Sequence, residues 1–83
     1  MAVVVAPDFY QNRPVLVTGG AGFIGRRLVA VLQARGARAR VLVRSGRVIP
    51  TGWSGLETIA GDLADAASLA RACAGIDTVI HAA

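Results

Sequence analysis

The chain has 83 residues, 54% of them hydrophobic, with a formal net charge of +4 and a mean hydropathy of +0.56. That length allows one domain at most, and that apolar content excludes a disordered chain. No apolar run approaches the roughly 18 residues of a membrane span, and the nine basic residues, all arginine, form no tract with interleaved aromatics, so neither a membrane nor a nucleic acid is an expected partner.

Residues 1–13 carry a short apolar patch with no basic residue before it, and read as a lead-in rather than a signal peptide. Val15–Thr18 reads as a short buried strand. A helix is predicted from Gly22 to Arg35, with Ile24, Leu28, Val31 and Leu32 sharing one face at i, i+4, i+7 and i+8. Gly36 stands just past its end, where a left-handed residue closes a helix at no Cβ penalty. Arg40–Val43 is a second strand. Residues 44–55 hold three glycines and a proline and read as an irregular crossover.

Leu56–Ala60 is a third strand. Asp65 is a plausible N-cap for a helix over Ala66–Ala74, with Leu69, Ala72 and Cys73 as its apolar face and Gly75 as its stop. Thr78–Ala82 is a fourth strand. The order β-α-β-loop-β-α-β predicts the α/β class, a Rossmann-type parallel sheet with flanking helices and right-handed crossovers, over residues 14–83. The sequence stops while still apolar, and is expected to be the N-terminal portion of a longer chain. The single Cys73 cannot close an internal disulfide and fits a reducing, cytoplasmic location.

Four glycines fall within the seven positions 19–25, between strand and helix. A strand entering a helix through a tight turn aims backbone N–H groups at one point, and the helix dipole adds positive potential there. A diphosphate fits if no side chain projects into the turn. Gly19 permits the turn, Gly22 lets the diphosphate approach, Gly25 lets the helix lie close on the strand, and Gly20 adds conformational freedom. The blander account is a glycine-rich turn that only packs a helix on a sheet.

"TGGAGFIG" resembles the T-G-x-x-G-x-x-G fingerprint of the extended short-chain dehydrogenase/reductase family, of the NAD-dependent epimerase/dehydratase type. "GDLAD" at 61–65 and "VIHAA" at 79–83 resemble that family's motifs after the third strand and in the fourth. The resemblance covers roughly residues 14–83 and implies a domain that binds NAD or NADP. Carried over, it gives Phe23 and Ile24 the role of offering backbone N–H groups to the pyrophosphate. Asp62 would accept from the adenine amino group, Leu63 would lie against the ring, and Ala82 and Ala83 would line the cofactor's passage. Asp62 could instead cap a turn, and His81 reads as a hydrogen-bonded strand residue rather than a catalyst.

A ribose 2′-hydroxyl calls for an acid at the end of the second strand, and a 2′-phosphate for a cation. Val43 stands where the acid would be, Arg44 follows, and Arg47 is in the same loop, so NADP is favoured over NAD. Arg44 could otherwise stack on adenine or face solvent. The remaining arginines read as solvated helix faces.

The family's tyrosine–lysine dyad is not in these residues, for there is no lysine and Tyr10 precedes the first strand. No metal constellation is apparent either. The expected function is the cofactor-binding segment of an oxidoreductase, epimerase or dehydratase acting by hydride transfer on a small-molecule substrate, a sugar nucleotide or related carbonyl compound. The alternative is a non-catalytic NADP-binding sensor or accessory subunit; a flavin or S-adenosylmethionine site fits the later motifs less well.

Overall fold

The computed structural model describes residues 9–20, 22–44 and 56–82. Four strands, β1 (Pro14–Thr18), β2 (Arg38–Val43), β3 (Glu57–Ala60) and β4 (Thr78–His81), form one parallel sheet in the order β3-β2-β1-β4. Helices α1 (Phe23–Ala34) and α2 (Ala66–Cys73) complete the fold. The sheet and helices are those expected, with β1 and β2 starting one and two residues earlier. The expected crossover at 44–55 lies outside the described residues apart from Arg44.

The apolar run of β1 is continuous because both of its faces are covered. Val15 and Val17 join Val29, Leu32, Val41 and Val43 on the α1 side. Leu16, with Leu42, packs on the opposite face against Ala72 of α2, with Ile59, Leu69 and Ile76 around them. Each such aliphatic side chain contributes about 1.5–3 kcal/mol through burial. Central β1 is therefore the best-anchored platform in the sheet, and its C-terminal end carries the glycine turn.

The buried stripe of α1 is Gly25, Val29 and Leu32. This corrects the predicted face: Ile24 and Val31 are exposed, and Leu28 is half-buried. The cause is Gly25, whose side faces the backbone of Gly19 and Gly20 so closely that a Cβ would lie 2.2 Å from the Gly19 carbonyl oxygen. That contact sets the helix rotation, and residues one position away on the wheel turn outward. The helix ends as predicted: Gly36 has φ +77°, its N–H donates to the Gln33 carbonyl, and Ala37 N–H donates to that of Leu32. This is the paired-bond glycine cap.

On α2 the buried residues are Ser68 and Ala72, while Cys73 is exposed, against expectation. Ser68 holds that position because its hydroxyl serves the preceding loop. It accepts from Asp62 N–H at 3.0 Å and shares its proton between the carbonyls of Asp62 (2.9 Å) and Asp65 (3.0 Å). Asp65 caps the helix as predicted, accepting from Ala67 N–H at 3.0 Å.

Two arginines read as solvated are structural. Arg40 pairs with Glu57 at 2.6 Å and donates to the carbonyls of Ala72 and Ala74, closing the C-terminus of α2 onto the sheet. Arg13 donates to the Phe9 carbonyl, pairs with Asp77 at 3.3 Å and lies over the Phe9 ring. Residues 9–13 are thereby tied to the sheet, and Asn12 N–H donates to Gly36 O. Periodicity could not reveal either arginine, since each has an ion pair or carbonyl partner distant in sequence.

Candidate functional site

The C-terminal ends of all four strands open into one cleft. Thr18, Gly19, Gly22, Leu42, Val43, Arg44, Gly61, Asp62, Leu63, His81 and Ala82 line it, and its volume is about 420 Å³. It spans the boundary between β1 and β4, where the strand order reverses, which is the ligand position in open α/β sheets.

The four glycines divide the work of building its floor. Gly19 has φ +75°, a conformation that turns the chain sharply after β1. Gly20 is buried, and a Cβ there would meet a Val41 methyl at 2.6 Å. Its role is close packing on β2, which corrects the expected contribution to turn flexibility. Gly25 seats the helix on the turn. Of Gly20, Gly22 and Gly25, it is Gly22 that faces open space: among the described residues a Cβ there would touch only Gly19 O, at 3.4 Å.

Gly22 is also the N-cap of α1, with no side-chain cap bond and no acidic residue in the first turn. Phe23 and Ile24, the first two helical residues, therefore present N–H groups that α-helical bonding leaves without a partner. The first intrahelical bond described runs from Arg26 N–H to Gly22 O, at 2.9 Å. An uncapped helix end, bare of side chains and free of local carboxylate, suits an anion. A cofactor diphosphate fits this cradle in both charge and space.

The other expected residues fall around the same cleft. Arg44 is exposed at the rim beyond β2 and makes no hydrogen bond among the described residues. Asp62 accepts from Ala64 N–H at 2.9 Å through Oδ1, so its carboxylate does cap a turn. The other oxygen, Oδ2, makes no hydrogen bond among the described residues. Leu63 is half exposed beside it. Ala82 lines the cleft next to β4, and Ala83 lies outside the described residues, as does Arg47.

Sequence reasoning missed two elements. Ser68 anchors the Asp62–Asp65 loop from beneath, while Gly61 is held against it by a tight fit: a Cβ at Gly61 would lie 2.7 Å from a Leu42 methyl and 3.0 Å from Ser68. The second is the pair Thr18–His81. Thr18 Oγ1 lies 2.6 Å from His81 Nδ1, linking the last residues of β1 and β4 at the cleft.

Residues 15–83 match the NAD dependent epimerase/dehydratase family. The chain belongs to this family. Within it, the chain is 46% identical over 69 residues to the 3 beta-hydroxysteroid dehydrogenase/Delta 5→4-isomerase of Mycobacterium tuberculosis, covering 83% of this chain and 18% of that protein. It is 44% identical over 71 residues to the ceramide reductase of Caulobacter vibrioides, covering 83% and 22%. The chain thus spans about a fifth of the length of the curated relatives it matches. Among solved structures it resembles a short-chain dehydrogenase/reductase superfamily protein from Agrobacterium tumefaciens with bound NAD. That match has a TM-score of 0.68 and 35% identity, over 86% of this chain and 20% of the other. Among the described residues no helix is long and apolar enough to cross a membrane.

Proposed function

We propose that residues 14–83 hold the adenosine and diphosphate portions of NADP in a longer oxidoreductase. That protein would act by hydride transfer on a carbonyl or secondary alcohol. The observation that carries this reading is the uncapped N-terminus of α1, set over a cleft that a side chain at Gly22 would begin to fill.

In this reading Gly19, Gly22 and Gly25 shape the cradle, and the N–H groups of Phe23 and Ile24 bind the diphosphate. Asp62 keeps one carboxylate oxygen on Ala64 N–H and turns the other to the adenine amino group, with Leu63 against the ring. Ala82, with Ala83, borders the nicotinamide half. Arg44, at the cleft rim with an apolar residue before it, grips the 2′-phosphate. A carboxylate at Val43 would repel that group. The bound cofactor supplies the hydride chemistry, while these residues bind and orient it.

The substrate class is a ketone or hydroxyl compound. A steroid dehydrogenase and a ceramide reductase among the relatives support lipid-like substrates beside the sugar nucleotides that the family resemblance suggests. A cytoplasmic, reducing location belongs to the same proposal, and the exposed free thiol of Cys73 suits it. Calorimetric titration of the full-length protein with NADP and NAD tests the reading. The expected result is saturable 1:1 binding, tighter for NADP; binding of neither dinucleotide overturns it.

A further inference from the structure

A second cavity adjoins the cleft across the Asp62 loop. Arg44, Gly61 and Asp62 line both, and the second has Asp65, Ser68 and Arg71 on its α2 side. Its volume is about 330 Å³, at the lower end of ligand-sized pockets.

The helix places Arg71 there. Asp65 caps α2, Ser68 is seated against Gly61, and Arg71 follows Ser68 three residues on, along the same side. A basic residue in the last turn of a helix ordinarily serves the C-terminal carbonyls. Arg40 already does so here, donating to Ala72 O and Ala74 O. No acid stands three or four residues from Arg71, where the chain has Ala67, Ser68, Ala74 and Gly75. Arg71 is exposed and makes no side-chain hydrogen bond or ion pair among the described residues, and the same holds for Arg44.

Two such guanidinium groups, one following β2 and one on α2, thus border a single cavity. The cavity also carries two carboxylates, so a bare anion gains little net attraction. Asp62 and Asp65 each accept one backbone N–H, from Ala64 and Ala67. This lining suits a ligand that brings a donor for Asp62 together with a dianion for the arginines. Adenosine 2′-phosphate is such a ligand, with its amino group and its phosphate on one nucleoside.

Resting on the cofactor reading above, we propose that Arg71 is a second specificity-determining residue for NADP. It meets, from α2, the 2′-phosphate that Arg44 grips from β2. Two guanidinium forks share the oxygens of one phosphate without competing, because each presents several donors in a plane.

The test uses the full-length protein, titrated with NADP, NAD, adenosine 2′,5′-bisphosphate and AMP. Arg71→Ala should weaken NADP and adenosine 2′,5′-bisphosphate by about 10-fold, near the lower end for one charge-assisted hydrogen bond because Arg71 is exposed. NAD and AMP lack the 2′-phosphate, and their affinities should not change. Arg71→Glu should weaken the two 2′-phosphate ligands further. Arg35→Ala controls for net charge: Arg35 closes the end of α1 remote from the cleft, and its removal should leave all four affinities as they are.

Equal losses for NADP and NAD, no loss for NADP, or an equal NADP loss in Arg35→Ala would each overturn the role of Arg71 while leaving the cofactor reading intact. A wild-type protein that binds NAD as tightly as NADP, or binds neither, overturns the 2′-phosphate assignment of Arg44 and this inference with it.

Discussion

Gly22 and Gly25 are three residues apart in one motif, and the structure gives them opposite sensitivities. At Gly25 a Cβ would lie 2.2 Å from Gly19 O and 2.6 Å from Gly20 Cα, both backbone atoms, where ordinary contact begins at 3.4 Å. Gly25→Ala must push α1 off the turn by about 1 Å. Overpacking of this kind costs about 1–3 kcal/mol, offset by about 1 kcal/mol for removing a glycine from a helix. The clash is with backbone, which cannot rotate away, so the net loss should be about 1–2 kcal/mol. Gly22 has φ −76° and ψ 174°, an extended conformation that valine adopts readily. Gly22→Val should therefore cost no more than about 1 kcal/mol, from a poorer N-cap. Its branched side chain would nonetheless stand where the proposed diphosphate would meet the helix N-terminus. Losing two charge-assisted hydrogen bonds, each about 1.5–3 kcal/mol, weakens binding by at least about 150-fold. Thermal unfolding and calorimetry on the two variants separate these effects. Gly22→Val should unfold near the wild-type Tm and bind no measurable cofactor, while Gly25→Ala should unfold at a lower Tm. Near-normal affinity in Gly22→Val would refute the cradle, and an unchanged Tm in Gly25→Ala would refute the account of how the helix is seated.

Arg44→Ala should weaken NADP by about 10- to 150-fold, the range of one charge-assisted hydrogen bond, and NAD far less; matched losses in paired titrations at one ionic strength would instead indicate adenine stacking. Arg40→Ala should lower stability by about 2–3 kcal/mol, because it leaves the Ala72 and Ala74 carbonyls without their donor. Denaturant melts check this, and Arg40→Lys should recover only part of the loss, since a point charge cannot reach Glu57 and both carbonyls as the fork does. Ser68→Ala should cost about 1–3 kcal/mol by unpairing the Asp62–Asp65 loop, and hydrogen exchange should show the Asp62 amide losing protection.

The strands and helices were legible because each rests on a local signal. Apolar runs, two glycines at helix ends and an aspartate cap need no knowledge of the partner surface. The glycine turn was legible for a related reason: it is built from backbone, and glycine spacing reports backbone freedom directly. Contacts between distant segments were not legible. Ser68, Arg40 and the Thr18–His81 pair join residues 6 to 63 positions apart, and each side chain taken alone has an ordinary solvent-facing or core reading. The misread face of α1 has the same origin. The rotation of that helix is set by the absence of a side chain at Gly25, whereas an apolar stripe is found by counting the side chains present.

A shared cause underlies the fold and the site. Gly20, Gly22 and Gly25, around the turn, are individually unfavourable in strand or helix by about 0.5–1 kcal/mol relative to alanine. Gly20 and Gly25 recover that cost through packing, because any Cβ there would overlap Val41 or the turn backbone. Gly22 gains no such packing among the described residues: it lines the cleft, and no side chain caps the helix end it begins. The proposed diphosphate accounts for a residue with no side chain at the one point where serine or aspartate would have capped the helix. The same asymmetry separates Arg40 from Arg44. Arg40 makes three hydrogen bonds, to Glu57 and to the carbonyls of Ala72 and Ala74, whereas Arg44 stands at the cleft rim and makes no side-chain hydrogen bond among the described residues. In the proposed reading, Gly22 and Arg44 mark the two ends of one surface for anionic groups, with the diphosphate at the turn and the 2′-phosphate at the rim. Restoring a cap with Gly22→Asp should accordingly raise the stability of α1 while abolishing dinucleotide binding.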